Sequence, residues 1–200
     1  MVGAPSMRLE RAIGSILREK GWTLSVAESC TGGLVSDRIT NISGSSDYFE
    51  GGIVSYSNRA KTIQLSIPVR VLEQYGAVSS QVAGRMAQGV RKAFRTTFGL
   101  STTGVAGPTG GTKKTPVGRI FIAVSDGKRT LVSMETFKGM RRKIKKQATE
   151  RSLRVLHDFL LEKAQSAQGI AQSVNQINKI NRRAACGYPV HEARDPFPGD

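Results

Sequence analysis

Apolar residues recur along the chain at two spacings, and their alternation sets out the elements. Leu9, Ile13, Ile16 and Leu17 share one helical face, so a first helix is predicted from Ser6, as its cap, to about Lys20, where Gly21 stops it. Residues 23–27 read as a short buried strand, and Thr31-Gly32-Gly33 opens a second helix through Leu34, Val35, Arg38 and Ile39. After a turn at Gly44-Ser45-Ser46, residues 53–56 read as a strand. Asn58 is placed as the cap of a helix ending near Leu65, and Pro68 starts a short one ending near Gly76. Ser79 or Ser80 caps a longer helix reaching about Phe98, with Val82, Met86, Val90 and Phe94 on one face. Residues 100–103 form a further strand that feeds a glycine-rich loop, Gly104 to Gly111. Residues 119–125 and 130–137 are two strands joined at Asp126-Gly127, a strong hairpin signal. A last helix covers residues 140–163, with Ile144, Ala148, Leu153, Leu156 and Leu160 facing inward.

Strands that alternate with helices and then close on a hairpin predict an α/β fold: a mixed sheet covered by helices, three layers α/β/α, in a single domain with a C-terminal tail. The domain is expected over residues 1–164. Beyond it the composition turns to Gln, Ala, Ser and Asn, so residues 165–200 are expected to be a polar tail, partly helical through one weak stripe (Ile170, Val174, Ile177, Ile180) or disordered.

Charge narrows the partners. The formal net charge is +15 over 200 residues, and the densest run is Lys138 to Lys146. Such a surface attracts anions: nucleic acid, an acidic membrane or phosphorylated small molecules. A solvated helix face is the plainer account of the run. Aromatic residues make up 6% and do not interleave with it, so nucleic acid is expected only as a weak, non-specific and salt-dependent ligand. No apolar stretch has the length of a membrane span and the N-terminus lacks a signal-peptide core, which sets the expectation of a cytoplasmic chain without membrane contact. Two distant cysteines, Cys30 and Cys186, and two distant histidines, His157 and His191, give no ligand spacing, so neither metal nor organic cofactor is expected.

Three segments can carry chemistry. In Ala27-Glu28-Ser29-Cys30-Thr31-Gly32-Gly33 a strand gives way to a helix, exposing Ser29 beside helix N–H groups that can bind a phosphate or an oxyanion; an ordinary cap with close-packed glycines is the plain alternative. Cys30 reads as an inert buried thiol, since neither histidine has a spacing that ties it to this residue. Ser45-Ser46 with Tyr56 and Lys61 offers a serine–lysine arrangement, in which lysine acts as base only when burial or nearby cations lower its pKa; a surface lysine is the alternative. The loop from Thr103 to Gly111 matches no Walker or dinucleotide fingerprint, yet can cradle an anion through its amides.

In order and spacing these segments, together with Gly76-Ala77-Val78-Ser79, Pro116-Val117-Gly118, Phe137-x-Gly139-x-Arg141 and Gln147-Ala148-Thr149, resemble the CinA C-terminal domain family, the nicotinamide mononucleotide deamidases, over about residues 8–162. The resemblance implies hydrolysis of the carboxamide of nicotinamide mononucleotide to nicotinate mononucleotide and ammonia, in a stand-alone, oligomeric form without cofactor. It places catalysis on Ser29, Ser46, Tyr56 and Lys61, with either serine as nucleophile and Lys61 as base, relayed through the other serine or Tyr56. Cys30, Thr31, Gly32, Thr103, Gly104, Gly107 and Arg141 would hold the nucleotide. The alternative is a catalytically altered member that binds nucleotides or nucleic acid through its basic surface. The chain departs from the family at Thr109 and Met140, where aspartate is common, and the loss of negative charge bears most directly on Arg141.

Overall fold

The computed structural model describes the backbone of residues 7–185 and the side chains of residues 9–166. Among the described residues six helices and five strands follow in the order α1 (Met7–Lys20), β1 (Leu24–Glu28), α2 (Leu34–Thr40), β2 (Phe49–Val54), α3 (Asn58–Leu65), α4 (Val69–Tyr75), α5 (Ser80–Phe94), β3 (Phe98–Gly104), β4 (Arg119–Ser125), β5 (Thr130–Thr136) and α6 (Arg141–Ala185), with a 3₁₀ turn at Ser45–Asp47. The strands form one mixed sheet in the order β2-β1-β3-β4-β5. The first three are parallel, and the hairpin then runs back antiparallel.

Alternation along the central strands divides the core in two. Leu24, Val26, Phe98, Leu100, Ile120 and Ile122 point to a face covered by Ile13 and Leu17 of α1, Val35 and Ile39 of α2, and Ile144, Ala148 and Leu156 of α6. On the other face Ala27 meets Leu65 of α3, Leu72 of α4, and Val82, Met86 and Val90 of α5, so the three-layer reading holds. Contact between sheet and α5 is tight at Gly99, where an added Cβ would overlap the carbonyl oxygen of Ala87. Gly99→Ala is therefore expected to push α5 off the sheet and to cost about 1–3 kcal/mol, measured as a lower urea midpoint at unchanged slope.

Several boundaries differ from those the pattern predicts. Strand β2 begins at Phe49, four residues earlier, and takes in Gly51-Gly52, because Ser36 of α2 lies over Gly52 where a Cβ would stand. Helix α5 ends at Phe94, with Arg95 left-handed at its C-cap, and Phe98 opens β3 instead of closing the helix. Ser57, not Asn58, caps α3, its Oγ accepting from the Ala60 amide at 3.0 Å. Ser79 rather than Ser80 caps α5.

The chain forms two units, Met1–Glu162 and Lys163–Asp200; sheet and cleft belong to the first. In the second, the backbone continues as α6 to Ala185, past the end predicted at Lys163. The side chains of the Ile170–Ile180 stripe, like the cap at Ser6, lie outside the described residues. Among the described residues no helix is long and apolar enough to cross a membrane.

Candidate active site

Parallel strands β1 and β3 deliver their carboxyl ends to one edge of the sheet, and a cleft of about 180 Å³ opens there. Ser29, Cys30, Tyr56, Lys61, Thr103, Gly104 and Arg141 of the expected set line it, joined by Asn58, Ala77, Val78 and Ala106. The lining contains two cationic side chains and no carboxylate.

At its base Lys61 is 1% exposed, not a surface lysine. The Ser57 cap fixes the start of α3, and Lys61 one turn later points back under β1, where Nζ donates to Ser29 Oγ at 3.1 Å and to the Ser55 carbonyl at 2.8 Å. Burial pushes the Lys61 amine below the ordinary lysine value, with the neighbouring Cys30 thiol acting weakly in the opposite sense. Lys61 thus reaches Ser29 directly, with no relay. Ser29 is fixed in turn by its amide, which continues the sheet by donating to the Thr102 carbonyl at 2.9 Å.

The other expected serine stands elsewhere. Ser46 is exposed in the 3₁₀ turn that precedes β2. Phe49 at the start of β2 pairs with Leu24, whereas Ser29 follows Glu28, the partner of Val54. The length of the strand, roughly 17 Å at about 3.3 Å per residue, therefore separates the two serines within one protomer. Within this chain Ser46 therefore does not share the cleft with Ser29 and Lys61. Tyr56 does line the cleft, but its hydroxyl accepts from Arg141 at 2.6 Å rather than serving Ser29.

The helix amides offered to an oxyanion are also in use. Glu28, fully buried, turns its carboxylate under α2 and accepts from the amides of Gly33 at 2.9 Å, Val35 at 3.1 Å and Ser36 at 2.8 Å, and from the Ser36 hydroxyl at 2.8 Å. An internal carboxylate therefore fills the position at the positive end of the helix. The amide immediately after Ser29, that of Cys30, is not part of this cap.

The remaining members divide by role. Thr31 is buried with its hydroxyl 2.6 Å from that of Thr102, so it packs the turn and does not face the cleft. Thr103 Oγ1 donates to the Ala77 carbonyl at 2.7 Å, tying β3 to the segment before α5. Gly107 presents its carbonyl to Arg141 Nη1 at 2.7 Å. Arg141 is thus held by a carbonyl and a phenol, and Thr109 lies on the exposed loop outside the lining. Cys30 is buried and its thiol is pushed up to about 12 by that burial, which makes it an inert wall. Asn58, Ala77 and Val78 sit in motifs of the resemblance, but nothing in their chemistry marks them as lining.

The fold and the cleft define an α/β protein with a buried serine–lysine pair at the carboxyl edge of a mixed sheet. The chain belongs to the CinA C-terminal domain family, which matches residues 6–160. It is 50% identical over 153 residues to a CinA-like protein of Syntrophus aciditrophicus, covering 76% of this chain and 36% of that protein. It is 45% identical over 153 residues to a CinA-like protein of Koribacter versatilis, covering 76% and 37%. The chain therefore spans little more than a third of these curated relatives. Among solved structures, the competence/damage inducible protein CihA from Agrobacterium tumefaciens superposes with a TM-score of 0.74 at 34% identity, over 78% of this chain and 96% of that one. A CinA superfamily protein from Klebsiella pneumoniae gives 0.76 at 25% identity, over 80% and 99%.

Proposed function

We propose that this domain is an amidohydrolase that converts nicotinamide mononucleotide to nicotinate mononucleotide and ammonia, with Ser29 as nucleophile and Lys61 as its base. One observation carries the reading: the buried Lys61 amine sits 3.1 Å from Ser29 Oγ in a cleft free of carboxylates. In the neutral amine that contact reverses. The Ser29 hydroxyl donates to Nζ, while an N–H of the amine keeps the Ser55 carbonyl.

The serine oxygen adds to the carboxamide carbon as its proton passes to Lys61. The amide of Cys30 is assigned to the oxyanion. Lys61 then returns the proton to the departing nitrogen, the C–N bond breaks and ammonia leaves. Water, activated by the same lysine, releases the acid and restores Ser29. Arg141, braced by Gly107 and Tyr56, and the Thr103–Gly104 edge hold the nucleotide.

Ammonia release from a panel of pyridine nucleotides tests this reading. Nicotinamide mononucleotide is expected to turn over without added metal, and activity removed by a chelator and restored by zinc would contradict the mechanism. No release from any carboxamide nucleotide would leave the cleft with a binding role only.

A further inference from the structure

We infer that the groove between α3 and α5 is a second anion site, separate from the catalytic cleft, which takes the phosphate group of a small molecule on Arg85 and Lys92. The groove holds a recess of about 300 Å³. Residues 64–67, at the end of α3, form one wall, and α5 presents Arg85, Gly89 and Lys92 along the other. No residue lines both this recess and the cleft.

A glycine opens the recess. Gly89 lies against the Leu65 carbonyl, where a Cβ would overlap the oxygen, so α5 meets α3 at a step that carries no side chain. Arg85 stands one turn before that step and Lys92 one turn after it, on the same face of the helix. The buried Leu65 and Ile67 close the floor. Opposite the cations, Gln64 and Ser66 add an amide and a hydroxyl. Ser66 is also the left-handed C-cap of α3, and its amide donates to the Lys61 carbonyl, so an occupant rests on the end of the helix that carries Lys61.

The pairing of charges separates these two cations from the structural ones. Arg38 is held by Glu10 and Glu150, Arg129 by Glu162, Arg151 by Glu135 and Arg154 by Glu150. Among the described residues no carboxylate lies within 4 Å of Arg85 or Lys92, and the recess itself has none in its lining. The turn that ends α5 is served by Arg91, whose Nη1 donates to the Thr96 carbonyl at 3.3 Å, and does not call on Lys92. A planar fork and a point charge on either side of a gap suit the several oxygens of a phosphate. A closed floor and a volume at the small end for ligand pockets fit a phosphorylated small molecule better than a nucleic-acid backbone, which tracks along open basic grooves. The recess of about 370 Å³ beside α4 differs, because its one cation, Lys114, shares the lining with Glu73.

NMR titration of the ¹⁵N-labelled full chain with inorganic phosphate, against chloride at matched ionic strength, tests the assignment without drawing on any activity. Phosphate is expected to move the Gly89 and Ser66 amides saturably, and chloride is not. Arg85→Gln with Lys92→Gln should weaken that response about tenfold or more, the usual scale for lost hydrogen bonds from charged groups. Both side chains are exposed, so the fold should be unchanged. Any response of the Cys30 and Gly104 amides, which report the cleft, should survive in this variant. Lys113→Gln with Lys114→Gln removes the same charge elsewhere and should resemble the parent. No saturable shift at Gly89 and Ser66 in the parent, an undiminished shift without Arg85 and Lys92, or an equal loss on removing Lys113 and Lys114 would overturn the site. Movement of these amides by a single-stranded oligonucleotide but not by phosphate would overturn it too, in favour of a nucleic-acid track.

Discussion

Replacing Lys61 by methionine is expected to lower kcat by roughly 100-fold or more, the scale of a lost general base. Methionine is the informative choice because Lys61 is among the largest fully buried side chains, so alanine would add a cavity to the chemical loss. Removing Ser29 should be at least as damaging, and the double variant no worse than Ser29→Ala alone, since the two groups act as a unit. The parent should show a matching pH profile. Activity needs the neutral amine, and burial lowers the pKa of Lys61, so the rising limb belongs below the ordinary lysine range and should vanish in Lys61→Met. Turnover and melting temperature, measured together across pH, check this. A methionine variant with near-parental turnover would remove the serine–lysine mechanism.

The second large effect is expected at a residue that performs no chemistry. Glu28→Ala deletes a fully buried carboxylate and leaves three amides and a hydroxyl at the start of α2 without their acceptor. Orphaning buried donors costs about 1–3 kcal/mol for each group stranded, and relaxation recovers part of it, so a net loss of about 3 kcal/mol is expected. For a chain of this size that is a fall in melting temperature of about 6–12 °C. Glu28→Gln preserves the shape but turns an NH₂ toward amide donors, and should lie between parent and alanine. Because Ser29 is the next residue, activity should fall with stability in both. A Glu28→Ala protein melting within about 2 °C of the parent would show that α2 does not depend on this cap.

The helices and the hairpin were legible because their signals are local: apolar spacing, Gly21, and Asp126-Gly127. Strand β2 was half-hidden because its glycine pair answers to Ser36 across the sheet, a contact no window of sequence contains. The same distinction runs through the site. Ser29 and Lys61 stood out by residue type and motif, but their meeting depends on β1 lying beside β2 and on α3 folding back beneath both. Ser46 looked equivalent to Ser29 for as long as order along the chain was the only guide. The parallel pairing of β1 and β2 sends the two serines to opposite edges. Glu28 reads as part of a motif, and only the folded chain reveals that its carboxylate caps the helix that the motif opens.

The hydrogen bond from Lys61 to the Ser55 carbonyl has a further consequence. A lysine side chain free in solvent samples many rotamers, and confining it costs about 1.5–2 kcal/mol of entropy. Here that confinement is completed when the chain folds, so under the proposed mechanism the amine would have no search to make when a substrate arrives, and the barrier of the first proton transfer would carry no share of that ordering.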